Sequence, residues 1–187
     1  MGYLQPLIDQ LRALWATEPD TEQRMRKAQP LMARVTADPE LRARSRDWPP
    51  TPGQNLLFYE DPDYGFVLNG VVRIPPYRGG AHDHAYAWTL YGVIDGTETL
   101  ERYDQLDDGT KAGFADLKLA SASTGTSGIV DIVPPFAVHA ERGGPARSAA
   151  LILRSERLVG RTLQRHFDPE KKTVKEASGP EQVPYEV

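Results

Sequence analysis

The residues after position 55 fall into short runs rich in β-branched and aromatic side chains, separated by clusters of glycine, proline and aspartate. Such runs, with turn residues at regular spacing, are typical of antiparallel barrels and sandwiches rather than parallel sheets. Eight strands are predicted, at residues 56–59, 66–74, 88–94, 97–103, 116–122, 129–133, 147–153 and 162–167. The dipeptide Asp95-Gly96 lies between two of them and predicts a hairpin turn. The chain is therefore expected to be mainly β.

The first fifty residues carry a helical pattern instead. Apolar residues recur there at the three-and-four spacing of amphipathic helices, in one stripe through residues 4–15 and another through residues 25–35. Pro30 is expected to kink or split the second helix. The sequence Asp-Pro-Glu at residues 38–40 has the order of cap, proline and acidic residue that opens a third helix.

The chain of 187 residues is long enough for one domain with added helices. Each predicted helix has one apolar face that must be buried against another element. We therefore expect residues 1–53 to form a helical segment packed on the barrel. Residues 54–187 are expected to form the barrel domain and to end in a polar tail after Asp168.

Composition narrows the class of function. Lys and Arg number 22 against 26 Asp and Glu, a formal charge of -4, so no nucleic-acid partner is expected. No apolar run approaches the ~20 residues that span a membrane, and no signal peptide is recognisable. No membrane partner and a cytoplasmic location are therefore expected. The chain has no cysteine, which leaves histidine and carboxylate groups as metal ligands.

Three of the four histidines lie in two short motifs that suit a metal site. His82 and His84 flank Asp83, and side chains alternate across an extended strand, so both imidazoles would face the same side. His139 would complete the set from a distant strand. Three neutral imidazoles bind iron, zinc, copper or nickel and leave positions open for a substrate. The fourth histidine, His166, is expected to be structural or exposed.

The first histidine motif resembles one of the two metal motifs of the cupin superfamily. That motif consists of His-x-His, four residues, a glutamate, six residues and a glycine. Here His82 and His84 are followed by four residues, then Thr89, then six residues and Gly96. The spacing matches, and threonine stands at the position of the usual glutamate ligand.

The second cupin motif has the order Gly, five residues, Pro-x-Gly, two residues and His. Here it begins at Gly128 and continues through Pro134 to His139, with Phe136 in place of the second glycine. Two motifs in this order and register imply a cupin double-stranded β-helix. This is a jelly-roll-like barrel, with the N-terminal α-helices outside it.

A cupin site without the motif glutamate resembles that of the cysteine dioxygenase type I family, the thiol dioxygenases. Residues 79–96 and 165–169 are similar to the metal strand and the closing strand of its bacterial members. The resemblance implies Fe(II) as the cofactor, with Zn, Ni or Mn as alternatives. It also implies a small-molecule substrate, a thiol in that family, which O2 converts to a sulfinate. Three neutral ligands would leave the full charge on the iron and favour a thiolate.

Two elements of that family are missing from this chain. Its Ser-His-Tyr set, on a late strand, aligns with Leu151, Leu153 and Ser155. Its substrate-binding arginine, on an early strand, has no counterpart in residues 55–59. Arginine binds carboxylates through paired hydrogen bonds, so Arg73 and Arg154 are candidates for a replacement carboxylate clamp. A salt bridge is the alternative role for each.

Four further residues are candidates for lining the substrate pocket: Tyr86, Trp88, Thr89 and Phe136. Tyr86 and Trp88 share the alternation of the histidine pair and would face the metal on a regular strand. Packing in the core is the alternative for these aromatic rings. Glu98, the nearest downstream glutamate, is an alternative fourth ligand.

The resemblance thus implies a non-haem Fe(II)-dependent dioxygenase of a small substrate, which in that family is a thiol. The chain is expected to be a monomer or a homodimer. Two other classes stay open, since cupin barrels host many functions. One is a metal-dependent cupin of a different reaction class, such as a diketone dioxygenase, an isomerase or a lyase. The other is a non-enzymatic cupin that binds a small molecule.

Overall fold

The structure is a computed structural model that describes residues 2–77 and 79–187. In this described part, three helices precede a barrel of twelve strands. The helices are α1 (Gln5–Thr17), α2 (Thr21–Thr36) and α3 (Pro39–Ser45). The strands are β1 (Gln54–Glu60), β2 (Val67–Arg73), β3 (Ala81–His82), β4 (Thr89–Asp95), β5 (Glu98–Gln105), β6 (Leu117–Gly125), β7 (Val130–Val133), β8 (Val138–Gly143), β9 (Ser148–Arg154), β10 (Gln164–Asp168), β11 (Thr173–Ala177) and β12 (Glu181–Pro184).

The strands form two six-stranded sheets. The first has the order β12-β1-β2-β9-β4-β7, and the second has the order β11-β10-β3-β8-β5-β6. Each pairing that the structure describes is antiparallel except that of β1 with β12. The chain changes sheet repeatedly along its length, as in a jelly roll. The prediction of a mainly β, double-stranded β-helix barrel with N-terminal helices is confirmed.

Strand β9 shows how the first sheet is covered on both faces. All seven of its residues are buried. Ala149, Leu151 and Leu153 belong to an apolar cluster shared with the helices, whereas Ala150 and Ile152 belong to a cluster inside the barrel. Because alternate side chains of a strand point to opposite faces, the helices cover one face and the second sheet covers the other.

The helices pack closely on β4. A Cβ at Gly92 would lie 2.8 Å from Thr36 Cγ2, so a glycine at this position lets α2 approach the sheet.

Asp38 caps α3 as predicted, since its Oδ1 accepts a hydrogen bond from the Glu40 backbone N–H at 2.8 Å. Of the two expected effects of Pro30, a kink or a split, the split does not occur, because α2 continues through Pro30. Burial of the apolar face of α2 against the barrel outweighs the one backbone hydrogen bond that proline removes. Among the described helices, none is both long and apolar enough to cross a membrane.

The Asp95-Gly96 turn does not form the predicted hairpin. Gly96 has a φ of 78°, but β4 lies in the first sheet and β5 lies in the second. A Cβ at Gly96 would also lie 2.4 Å from the carbonyl oxygen of Arg147. The turn therefore carries the chain from one sheet to the other, and both its conformation and its close backbone contact require glycine.

The segment after Asp168 is polar, as expected, but it is not only a surface tail. β11 pairs with β10 at the edge of the second sheet, and β12 lies parallel to β1 at the edge of the first. The short strand β3 and the strand β8 were also missing from the prediction. Backbone pairing orders the C-terminal segment, and a hydrophobic pattern does not reveal such pairing.

Candidate metal centre

The structure brings His82, His84 and His139 together. One ring nitrogen of each residue lies within 4.8 Å of those of the other two. The ring centroid of His82 lies 5.0 Å from that of His84 and 4.4 Å from that of His139. The ring centroids of His84 and His139 are 4.6 Å apart. In the described part of the chain this is the group of side chains that could hold a metal ion. We refer to it below as the three-histidine cluster.

Pairing of three strands places the cluster. His82 lies opposite His139 of β8 and opposite His166 of β10. β3 ends at His82, and Ala85 has a φ of 46°, so the chain turns directly after the His-x-His motif. Asp83 holds this turn from within the protein, because its carboxylate accepts hydrogen bonds from Ala85 N–H and from β10.

Backbone carbonyl groups orient two of the imidazole rings. His82 Nδ1 lies 3.0 Å from the carbonyl oxygen of Gly80, and His139 Nδ1 lies 3.2 Å from that of Ala137. A carbonyl oxygen can only accept, so each Nδ1 donates, and Nε2 is the nitrogen with which the neutral form of each ring can bind a metal ion. His84 Nδ1 is buried and has no hydrogen-bond partner among the described residues. Carbonyl partners of this kind are typical of metal-binding histidines.

Burial keeps two of the imidazoles neutral. Burial, reinforced by the neighbouring His139, lowers the pKa of His82 to about 4. The same two causes hold the pKa of His84 well below its ordinary value. Both rings are therefore neutral at pH 7, which is the form that binds a metal ion. The residues present thus fit a divalent ion that imidazole prefers, such as iron, zinc, copper or nickel.

A cavity of about 150 Å³ lies between the two sheets, with His82 and His84 in its wall. Since a water molecule occupies about 30 Å³ in the liquid, the cavity would hold a molecule of roughly five to eight non-hydrogen atoms. Side chains of both sheets line it: Asn55, Val71, Arg73, Thr89, Tyr91, Ile152 and Arg154 from the first, and Glu141, Gln164 and His166 from the second.

The structure places one of the four predicted pocket residues in this cavity. Thr89 lines it, and the Thr89 hydroxyl is buried without a hydrogen-bond partner among the described residues. Tyr86 is 44% exposed, Phe136 is 57% exposed, and Trp88 packs on the apolar cluster shared with the helices. The expectation for these three is therefore corrected. For Tyr86 and Trp88, the turn at Ala85 breaks the strand alternation on which the expectation depended.

Arg73 is buried in a network of charges rather than in a surface salt bridge. Its Nη1 lies 3.1 Å from Glu98 Oε2 and also contacts the Tyr91 hydroxyl. Its Nη2 lies 3.5 Å from Glu141 Oε2. The Glu98 carboxylate accepts hydrogen bonds from Arg73 and from the hydroxyl groups of Tyr91 and Ser148. Glu98 is not part of the three-histidine cluster.

Arg154 is an arginine of the cavity wall that forms no salt bridge with a described residue. Its Nη1 donates to Asn69 Oδ1 at 3.1 Å, and its Nε has no hydrogen-bond partner in the described part of the chain. No carboxylate of the described residues lies within salt-bridge distance of it. Burial lowers the pKa of the Arg154 guanidinium to about 10, so it is still positively charged at pH 7.

The residues aligned with the family's Ser-His-Tyr set do not face the cavity. Leu151 and Leu153 point to the helices, and the Ser155 hydroxyl accepts a hydrogen bond from the backbone N–H of Trp88. The alternate residues of β9, Ile152 and Arg154, line the cavity instead.

Glu141 is a site residue that the sequence analysis missed. It lines the cavity, is buried, and places its Oε1 3.2 Å from His139 Nε2. Burial alone would raise the pKa of its carboxyl group, but the contacts with His139 and the charge of Arg73 outweigh burial and hold that pKa well below its ordinary value. The alternation of His139 and Glu141 along one strand was the available signal, but β8 itself was not recognised.

His166 and Gln164 complete the polar wall of the cavity. His166 lies over His82 with nearly parallel rings, whose centroids are 6.1 Å apart. His166 Nε2 and Gln164 Oε1 are buried and lack hydrogen-bond partners among the described residues. His166 thus lines the cavity, although it is not a member of the three-histidine cluster.

No protein-family model and no curated protein sequence matches this chain. Solved structures with a similar backbone include an oxalate oxidase in complex with glycolate. Its sequence is 19% identical, the match covers 49% of this chain and 42% of the oxidase, and the TM-score is 0.40. The DMSP lyase DddQ from Ruegeria pomeroyi is 16% identical. The match covers 55% of this chain and 43% of DddQ, with a TM-score of 0.40. An uncharacterised protein with a double-stranded β-helix domain from Klebsiella pneumoniae is 16% identical. The match covers 70% of this chain and 90% of that protein, with a TM-score of 0.40.

The matched part of the chain spans less than half the length of the oxalate oxidase and of DddQ. Similarities at this level assign no reaction, substrate or metal to the chain.

Proposed function

We propose that this protein is a non-haem Fe(II)-dependent dioxygenase that oxidises a small thiol with O2 to a sulfinate. The observation that carries the proposal is the three-histidine cluster, of which His82 and His84 line a small cavity. An ion that prefers six ligands keeps open positions when three imidazoles hold it. Those positions would face the space in which a small molecule can lie.

The polar atoms without partners support a small, charged substrate. The Arg154 guanidinium presents a free Nε–H, and the Thr89 hydroxyl is a second free donor on the same wall. Donors of this kind suit a carboxylate, because arginine forms strong charge-assisted hydrogen bonds with it. Val71 and Ile152 supply apolar walls for the carbon atoms. A short thiol that carries a carboxylate fits these groups and the cavity volume.

The reaction is balanced without a further reactant. Iron bound by the three imidazoles would supply the redox chemistry that transfers both atoms of O2 to sulfur. The conversion of a thiol to a sulfinate removes four electrons from sulfur, and O2 takes up four. The contribution of Arg154 and Thr89 is to hold the substrate with its sulfur towards the three-histidine cluster.

Oxygen consumption by the full chain, loaded anaerobically with Fe(II), tests this proposal. The panel contains cysteine and 3-mercaptopropionate, which carry a carboxylate, and cysteamine and ethanethiol, which do not. We expect substrate-dependent uptake of O2 with at least one carboxylate thiol and one sulfinate formed per O2, measured by mass spectrometry. His84→Ala should abolish the uptake. Tyr86→Ala, which changes an exposed residue outside the cavity, should preserve it.

Iron bound with full occupancy but no O2 uptake from any thiol would contradict the proposal. The alternative would then be a metal-dependent isomerase or lyase, whose turnover consumes no O2. A protein that binds no metal would contradict every enzymatic alternative that depends on the three-histidine cluster.

A further inference from the structure

Glu141 is the one buried carboxylate that touches the three-histidine cluster among the described residues. It follows His139 by two positions on β8, so both side chains lie on the same face of the strand. Its Oε1 lies 3.2 Å from His139 Nε2, and its Oε2 lies 3.5 Å from Arg73 Nη2. Its side chain is 7% exposed, so it reaches the cavity without reaching bulk solvent.

The two atoms that face each other at this contact are His139 Nε2 and Glu141 Oε1. His139 Nδ1 is engaged by the carbonyl oxygen of Ala137, so Nε2 is the ring nitrogen that remains to face a ligand. His139 Nε2 is buried and makes no hydrogen bond with any described residue, although a carboxylate oxygen lies beside it. A cation held by both atoms would occupy the buried nitrogen and the buried carboxylate together.

The separation of these atoms is that of two ligands of one ion. Ligand nitrogen and oxygen atoms lie about 2.1 Å from a zinc ion, so two ligands at angles of 90–109° are about 3.0–3.4 Å apart. The distance of 3.2 Å between His139 Nε2 and Glu141 Oε1 falls in this range. Glu141 is not within 4.8 Å of all three imidazoles, so ligation requires a rotation of its side chain towards His82 and His84.

We infer that Glu141 is the fourth protein ligand of the metal, and that it supplies from β8 the carboxylate that cupin motif spacing would place at Thr89. Arg73 then holds the second carboxylate oxygen and fixes its orientation. Four protein ligands leave two positions of a six-coordinate ion, enough for a substrate sulfur and O2. This inference rests on the metal site of the proposed function, but not on its reaction.

Zinc affinity of the full chain, measured by competition with a chelator, tests the inference without any turnover. Glu141→Gln keeps the shape of the side chain and removes its charge. Asp131→Asn is the matched control, because the Asp131 carboxylate is close enough to His139 to feel its charge but lies outside the cavity lining. We expect Glu141→Gln to bind zinc 10–100-fold more weakly than the wild type, and Asp131→Asn to bind it within threefold.

A crystal structure of the zinc-loaded wild type gives a second, independent readout. We expect a Glu141 oxygen at about 2.0–2.2 Å from zinc, beside three imidazole nitrogens. Equal zinc affinities of Glu141→Gln and Asp131→Asn would overturn the inference and make Glu141 a salt-bridge partner of His139 and Arg73 only. Zinc held by the three histidines with Glu141 beyond coordination distance would overturn it as well, even if Glu141→Gln failed to fold. Oxygen uptake by the iron-loaded protein decides the proposed reaction separately.

Discussion

Arg165 Nε donates to Asp83 Oδ2 at 2.6 Å and thereby connects strand β10 to the segment that carries two residues of the three-histidine cluster. The same carboxylate accepts the Arg165 backbone N–H at 3.0 Å. Asp83 is completely buried. The residue between the two histidines thus faces away from them, as strand alternation predicts, and fixes the position of the loop that they occupy.

We expect Asp83→Asn to weaken both the fold and the metal site. Asparagine keeps one acceptor but loses the charge that binds Arg165, at a cost of about 1.5–3 kcal/mol for a hydrogen bond to a charged group. Urea unfolding and zinc competition measure the two effects. Asp168→Asn, at a half-exposed aspartate at the end of β10, should change neither the unfolding free energy nor the zinc affinity. Unaltered zinc affinity of Asp83→Asn would show that the loop does not need this anchor.

Arg154→Gln should raise the KM for carboxylate thiols selectively. The loss of a charge-assisted hydrogen bond of about 1.5–3 kcal/mol corresponds to an increase of roughly 10–150-fold. Thiols without a carboxylate should show little change, because they do not use the guanidinium. Arg102→Gln, at an arginine paired with Asp131, serves as the control. An equal effect of Arg154→Gln on both groups of thiols would argue against a carboxylate clamp at this position.

Gly92→Ala should destabilise the fold without affecting the metal site. The new Cβ would lie 2.8 Å from Thr36 Cγ2 and 3.0 Å from Val130 Cγ2, on the face of β4 that packs against α2. Overpacking of this kind costs about 1–3 kcal/mol of unfolding free energy. Gly80→Ala, where no described atom lies within 4 Å of the new Cβ, should leave the unfolding free energy nearly unchanged. Similar urea midpoints for both variants would contradict the close packing of α2.

The contact of Tyr3 with Asp38 predicts a loss of stability at high pH. Burial and the hydrogen bond to Asp38 raise the pKa of the Tyr3 hydroxyl from 10.0 to about 12. Between these values the folded chain keeps a proton that the unfolded chain releases, so the unfolding free energy falls as pH rises from 10 to 12. This contribution is fully present below pH 10. Urea unfolding at pH 9 and pH 11.5 should show a smaller decrease for Tyr3→Phe than for the wild type. The same decrease in both proteins would exclude Tyr3 as its source.

Sequence patterns predicted the barrel and the histidine cluster, because the spacing of His82, His84 and His139 follows from strand geometry that many barrels share. They failed where one residue changes the direction of the chain. The left-handed conformation of Ala85 removed Tyr86 and Trp88 from the cavity, and alternation along a strand cannot anticipate such a turn.

The sequence named Arg154 as a candidate and missed Glu141, and it could place neither side chain, because their positions depend on which strands become neighbours. Arg154 faces the cavity because β9 lies between β2 and β4, with its alternate residues turned to the helices. Glu141 reaches the cluster because β8 pairs with β3 at a single position, His82 opposite His139. Neither pairing leaves a local signal in the sequence.

The central claim is that three histidines hold one metal ion, and metal stoichiometry after reconstitution and gel filtration tests it most directly. We expect one ion per chain in the wild type and a loss of at least 90% of the bound metal in His139→Ala. The matched control is His166→Ala, because His166 lines the same cavity and lies over His82 without being a member of the cluster. It should keep one ion per chain. Retention of metal by His139→Ala, or an equal loss from His166→Ala, would contradict the account.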